Sequence, residues 1–243
     1  MEQEGLTKKQ KRELARQEKR KDREKEVRIK KFYKLIIGLV PVLFLLFLGF
    51  KFAGWFKTPT TSSSNAEVLG VQSDEWIKGP QEARATLVEY EDFQCPACKD
   101  YQPIVNRLLT DFPDDLKIVY RHYPLTLIHT KAYDAAKASE AAGMQGKFWE
   151  MHDKLYERQE EWVNDNNYKE RFVVYAKDIG LDEEKFKADF ESDEVKNKVQ
   201  EDMSSGNTLG INSTPSFYLN GKKTGTVRSY DDFAKKVNDA LGN

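Results

Sequence analysis

Apolar positions fall along this chain in three regimes. Residues 1–34 are a run of Lys, Arg, Glu and Gln with almost no apolar side chains. Such a pattern cannot bury a core and predicts a disordered tail or a solvated single helix. Leu35 to Phe50, LIIGLVPVLFLLFLGF, then carries no charge. Extended through Phe56 the segment has 22 residues, about 33 Å as a helix, which crosses a bilayer core. Lys51 can snorkel, Trp55 suits the interface, and Pro41 is tolerated inside lipid. Residues 57–71, KTPTTSSSNAEVLGV, are small and polar without a period. They predict a flexible tether of about 20 Å, with the folded part beginning near Gln72.

From there the periods are those of strands and helices. Thr86 to Phe93, TLVEYEDF, is rich in β-branched and aromatic residues and predicts a buried strand. A helix should follow from Pro96, with Ile104, Val105, Leu108 and Leu109 on one face and an end near Asp111. Pro103 inside it predicts a kink. Leu116 to Tyr123 predicts a second strand. From Thr130 to Ser205 the pattern is helical in about five segments, an insertion of roughly 130–206. Ser216 to Leu219 reads as a strand, Asn220-Gly221 as a two-residue hairpin turn, and Lys222 to Val227 as the return strand. Ser229-Tyr230-Asp231-Asp232 resembles a capping box that opens a last helix carrying Phe233, Val237 and Leu241. The order βαβ, helical block, ββα is that of an α/β thioredoxin fold with a helical domain inserted, over residues 72–243. One N-terminal transmembrane helix, residues 35–56, is expected to precede it.

Charge adds topology. Residues 1–34 hold 14 basic and 7 acidic residues, while residues 58–243 hold 23 basic and 33 acidic ones. An acidic domain argues against nucleic acid as a partner, because counterion release needs clustered Lys and Arg. The basic tail keeps the N-terminus cytoplasmic and sends the C-terminal domain out of the cell membrane as a single-pass protein. The rival reading is a cleaved signal peptide, but its basic region would be unusually long. Ser64-Asn65-Ala66 also sits too far downstream to serve as its cleavage site.

The sharpest compositional fact is two cysteines in 243 residues, Cys95 and Cys98. A disulfide scaffold needs more, and a structural zinc site needs four ligands at a recognisable spacing. Redox chemistry remains. Thiol–disulfide exchange requires a nucleophilic thiolate and a second thiol near enough to resolve the mixed disulfide. Cys95-Pro96-Ala97-Cys98 supplies both on one helical turn, with Pro96 where its missing N–H costs nothing. Cys95 then sits at the helix N-terminus, where unpaired amides and the helix dipole stabilise negative charge. A thiol of pKa about 8.5 is roughly 3% ionised at pH 7, whereas one of about 6 is roughly 90% ionised. Cys98, deeper in the helix, is the expected buried resolving thiol.

Two further features fit this site. Glu89, six residues before Cys95, reads as a carboxyl under the helix that exchanges protons with Cys98. The residues around it alternate, so a solvent-facing Glu89 is the competing reading. Pro215 after Thr214, if cis, would hold the preceding backbone open to an extended substrate peptide; a plain strand-entry proline is its alternative. His122, His129 and His152 receive no role, and Trp76, Trp149 and Trp162 read as packing residues. No metal and no cofactor beyond the cysteine pair is expected.

Three stretches, LVEYEDFQCPAC at Leu87–Cys98, GKFWEMHDKLYE at Gly146–Glu157 and GINSTPSFYLNGK at Gly210–Lys222, give the chain a family resemblance. Residues 72–242 resemble the DsbA-like thiol–disulfide oxidoreductases, particularly membrane-tethered bacterial members. The resemblance implies Cys95 as the attacking and Cys98 as the resolving cysteine, Pro215 as a cis-proline facing them, and a buried acid at Glu89. It also implies a sheet of four or five strands with the helical block over the active site. The dipeptide Pro96-Ala97 departs from the Pro-His of the strongly oxidising archetype. The leading expectation is an oxidase that donates a Cys95–Cys98 disulfide to exported proteins containing cysteine and is reoxidised by a membrane redox partner. The alternatives are a reductase or isomerase using the same site, and a membrane-tethered peptide-binding module with an inert disulfide.

Overall fold

The computed structural model of the protein describes residues 68–242, together with the single residue Lys25. The basic tail, the predicted span 35–56 and the tether up to residue 67 lie otherwise outside the described residues. Among the described residues no helix is long and apolar enough to cross a membrane.

The described part is built on a five-stranded mixed sheet in the order β1-β3-β2-β4-β5. Its strands are β1 (Trp76–Lys78), β2 (Ala85–Glu91), β3 (Leu116–His122), β4 (Ser216–Leu219) and β5 (Lys222–Lys223). β2 and β3 run parallel and are joined by helix α1 (Pro96–Asp111), whereas β4 pairs antiparallel with β2. Central strands buried on both sides read as nearly continuous apolar runs. Ala85 and Leu87 accordingly join Val105, Leu108, Phe217, Phe233 and Val237 on one face. Val88 and Tyr90 join Val119, Tyr123, Ile211 and Tyr218 on the other. The last helix, α8 (Tyr230–Leu241), closes the first of these cores, and Ser229 caps it as the sequence predicts: its Oγ accepts from Asp232 N at 3.2 Å.

Between β3 and β4 lies the helical block. It has six helices among the described residues, where the sequence predicted about five: α2 (Ala132–Gly143), α3 (Phe148–Glu157), α4 (Gln159–Val163), α5 (Tyr168–Asp178), α6 (Glu183–Phe190) and α7 (Asp193–Thr208). The extra member, α4, is five residues long, too short to show a helical period. The block reaches Thr208 rather than 206. α1 runs unbroken from Pro96 to Asp111 with Pro103 inside it. β5 spans two residues of the six expected. β1 carries three residues and no readable alternation, and it pairs antiparallel with β3, Trp76 opposite Tyr120.

Ordered contacts begin before Gln72. Leu69 is buried, and Arg121 on β3, itself buried, donates to the carbonyls of Val68 and Gly70 at 2.6 and 2.9 Å. Its Nε pairs with Glu75 at 2.5 Å and its Nη1 donates to Tyr90 Oη at 2.8 Å. A buried guanidinium is tolerated because each of its three nitrogens is hydrogen-bonded. The last residues of the predicted tether are therefore pinned to the sheet.

α7 approaches the sheet closely because residue 206 is Gly. A Cβ there would stand 2.5 and 2.6 Å from the Tyr123 ring and 3.3 Å from Tyr90. Neither ring is free to swing, since Tyr123 Oη is bonded to Asn207 and Ile211 and Tyr90 Oη to Ser205 and Arg121. Overpacking costs about 1–3 kcal/mol, more than the helix propensity of about 1 kcal/mol that Ala gains over Gly. Gly206→Ala should therefore lower the denaturant midpoint, and an unchanged or higher midpoint would contradict this packing.

Candidate active site

β2 ends where α1 begins, and the turn between them places Cys95. Its N–H donates to Asp92 O at 3.0 Å, and its backbone is extended (φ −74°, ψ 120°) as the N-cap of α1, with Pro96 at the first helical position. An N-cap side chain normally accepts from the amides two and three residues on. Here that side chain is a thiol that makes no side-chain cap hydrogen bond, and the nearby Ala97 and Cys98 amides still favour its ionised form. The Cys95 thiol is held down to about 5. The largest cause is the hydrogen bond from the Cys98 thiol, followed, against an opposing penalty for burial, by the Cys98 amide, the Thr214 side chain and the Ala97 amide. As a thiol, Cys95 Sγ donates to Thr214 O at 3.5 Å. The Thr214 hydroxyl, buried and without another partner, is free to turn to the sulfur once it ionises. The Thr214–Pro215 bond is cis, as the proline reading requires, and Thr214 faces Cys95.

Cys98 is fully buried. Burial, the hydrogen it shares with Cys95 and the charge of Glu91 push its thiol well above the ordinary range. Both cysteines are free thiols, and Pro96 and Ala97 between them are exposed. One tetrapeptide thus holds an acidic sulfur on a residue 7% exposed and a basic one on a residue fully buried.

Glu89 is 1% exposed, which removes the solvent-facing alternative. It lies on β2 between Tyr120 and Phe217, and burial raises its carboxyl to about 8 against the pull of Lys78. A second buried acid, Glu91, had no place in the sequence reading. Burial and the charge of Glu89 push it well above the usual carboxylate range, opposed by hydrogen bonds from Tyr156 and Gln102. The period-2 pattern marks Glu91 as sharing the face of Glu89, and that is the one signal from which it was legible.

Other site residues were also hidden. Asp92 accepts from Gln94 N, Leu125 N and His129 Nδ1 at 2.7, 2.8 and 2.7 Å. Gln159 Nε2 donates to the carbonyls of Phe93 and Cys95 at 2.7 and 3.0 Å. Together they clamp the cysteine turn between the loop after β3 and the helical block. The three histidines serve as scaffold: His129 bonds Asp92, His122 Nε2 lies 2.7 Å from Glu140, and buried His152 stands beside Asp153. Desolvation lowers His152 to about 4, so it stays neutral. Trp76 stacks on Phe148 at 4.3 Å and Trp162 is fully buried, both packing as expected. Among the described residues no cluster of His, Cys, Asp and Glu is arranged to hold a metal ion.

Residues 72–239 match the family model described as Thioredoxin. The chain belongs to the thioredoxin family. Solved structures of similar fold include a thioredoxin-like oxidoreductase from Silicibacter pomeroyi, 25% identical with a TM-score of 0.61, over 75% of this chain and 98% of that one. BdbD from Bacillus subtilis, in its oxidised form, is 25% identical with a TM-score of 0.62, over 70% and 94%. A curated relative, the Na(+)/H(+) antiporter NhaA 1 of Mycolicibacterium gilvum, is 38% identical over 149 residues, 60% of this chain. The match spans only 23% of that relative's length, and antiport is a property named for the longer protein.

These environments fix the order of reactivity. Alkylation of reduced protein should be half-maximal near pH 5 at Cys95 and very slow at Cys98 through neutral pH. Thr214→Val, which removes one donor to the thiolate, should raise the half-point by about one pH unit. A half-point above pH 8 in the unaltered protein would contradict the geometry.

Proposed function

We propose that this thioredoxin-family enzyme is a disulfide donor for exported proteins. The observation that carries the reading is Cys95 at the N-cap of α1 beside a buried Cys98, where the Cys98 thiol first and the helix-start amides after it hold the Cys95 thiol down to about 5. A thiolate stabilised in the reduced protein makes the reduced state the favoured one, so the Cys95–Cys98 disulfide is the state that gives up its oxidation. A client thiolate attacks Cys95, whose neighbours Pro96 and Ala97 are exposed, and Cys98 leaves. A second client thiolate then displaces Cys95, and the client departs with the disulfide. The Thr214 carbonyl 3.5 Å from the Cys95 sulfur supports pairing of this backbone with an extended client segment.

In this reading the cysteine pair works without a bound cofactor, and a membrane redox partner returns it to the disulfide. Residues 35–56 anchor the chain in the cell membrane, with the N-terminus cytoplasmic and the catalytic domain outside. The uncharged stretch Leu35–Phe50 and the basic residues before it support this placement.

Cys98→Ala should accumulate mixed disulfides between Cys95 and exported cysteine-containing proteins, and the unaltered pair should have a reduction potential near about −120 mV. A potential near about −270 mV would assign the same site to reduction instead. No adducts, together with no exchange by the unaltered protein, would leave a peptide-binding module.

A further inference from the structure

Cys98 has a proton problem. It is fully buried, yet each exchange cycle must deliver a proton to its sulfur or remove one. Gln102 lies one helical turn beyond Cys98 on α1, so the two side chains share a face. Its Nε2 donates to Glu91 Oε2 at 2.7 Å, which sets the Glu91 carboxyl beneath that face. Tyr156 Oη donates to the same oxygen at 2.7 Å, while Glu91 Oε1 is buried with no partner. An ionised carboxylate with one bare buried oxygen is costly. A neutral carboxyl fits these contacts: Oε2 accepts twice and the proton sits on Oε1. Gln102 and Tyr156 also line a solvent-open cleft of about 440 Å³ together with Lys99. Glu89, one pleat away, also has a bare buried oxygen, Oε2, but Gln102 and Tyr156 bond Glu91 and thereby tie that acid to the cleft.

We infer that Glu91, rather than Glu89, is the carboxyl that exchanges a proton with Cys98 Sγ, and that Tyr156 and Gln102 connect it to solvent through this cleft. The inference rests on the exchange reaction proposed above and names its proton carrier. A client thiolate attacks Cys95 Sγ of the disulfide, the Cys95–Cys98 bond breaks, and its electron pair leaves on Cys98 Sγ. The Glu91 proton moves to that sulfur, and the carboxylate recovers a proton from water in the cleft. In the reverse direction Glu91 takes the Cys98 proton as Cys98 attacks a mixed disulfide on Cys95 and the client leaves as a thiolate. Burial raises both Glu91 and Cys98 above their ordinary ranges.

The test compares Glu91→Gln, Glu91→Asp and Glu89→Gln in the full chain. The oxidised proteins are reacted with glutathione across neutral pH, and alkylation of reduced Cys95 is followed in parallel. Glu91→Gln should slow exchange about 100-fold, flatten its pH profile and leave the Cys95 alkylation half-point in place. Glu91→Asp should restore part of the rate and a shifted pH profile, and Glu89→Gln should stay within about threefold of the unaltered protein. The inference is overturned if Glu91→Gln stays within that same range, if Glu89→Gln reproduces its loss, or if Glu91→Asp does no better than Gln. Should Glu91→Gln fail to fold, Tyr156→Phe serves in its place. It should slow exchange about tenfold while Cys95 alkylates normally, and an unaltered rate overturns the inference. Absence of exchange in the unaltered protein would instead defeat the oxidoreductase reading itself, a different result from a silent Glu91.

Discussion

An α-helix starts with amides that have no carbonyl to bond, and those amides draw negative charge. In α1 the cap position is held by Cys95, whose ionised sulfur is favoured first by the Cys98 thiol and then by the Cys98 and Ala97 amides. The surrounding architecture keeps one sulfur at that point. Parallel pairing of β2 with β3 fixes the end of the strand, and α1 rises from it. Asp92 and Gln159 hold the turn from opposite sides. Thr214, from a segment more than a hundred residues later in the chain, closes the shell around the sulfur.

The same turn has the opposite effect on its second sulfur. Cys98 loses contact with water, and it stands over a strand that carries two buried carboxyl groups, Glu89 and Glu91. Burial raises both acids, which makes them compatible with an apolar sheet face. The helical block has a chemical role as well as a packing one. Tyr156 from α3 and Gln159 from α4 reach down to Glu91 and to the cysteine turn, so that the insertion completes the site it covers.

Much of this was legible along the chain wherever the deciding physics is local. The limits of α1 follow from Pro96 and an apolar face, and those of α8 from the Ser229 cap. The strand β2 is written in its β-branched and aromatic residues. Cys95 and Cys98 stood out because nothing else in the chain uses sulfur pairs. What was missed depends on partners far apart. β1 is three residues held by β3, Arg121 holds a segment about fifty residues earlier, and His129 and Asp92 meet across 37 positions. Glu91 was passed over because alternation gives a face but not which of two acids on it lies beneath Cys98. That is settled by Gln102 and Tyr156. The helix continues through Pro103, and the expected tether gave way at its end to the Arg121 clamp.

Stabilising an ion at the tip of α1 has a thermodynamic signature in folding. Cys95 ionises near 5 when folded and near 9 when unfolded, so reduced protein gains stability that is present above the unfolded value and lost as pH falls through the folded one. The oxidised protein has no such thiol to titrate. Denaturant unfolding of both redox forms at pH 7 and pH 4 is therefore the most direct measurement. A helix-tip thiolate predicts that the reduced form is the more stable at pH 7 and that its advantage vanishes at pH 4. An oxidised form more stable at pH 7, or a difference that does not respond to pH, would contradict it.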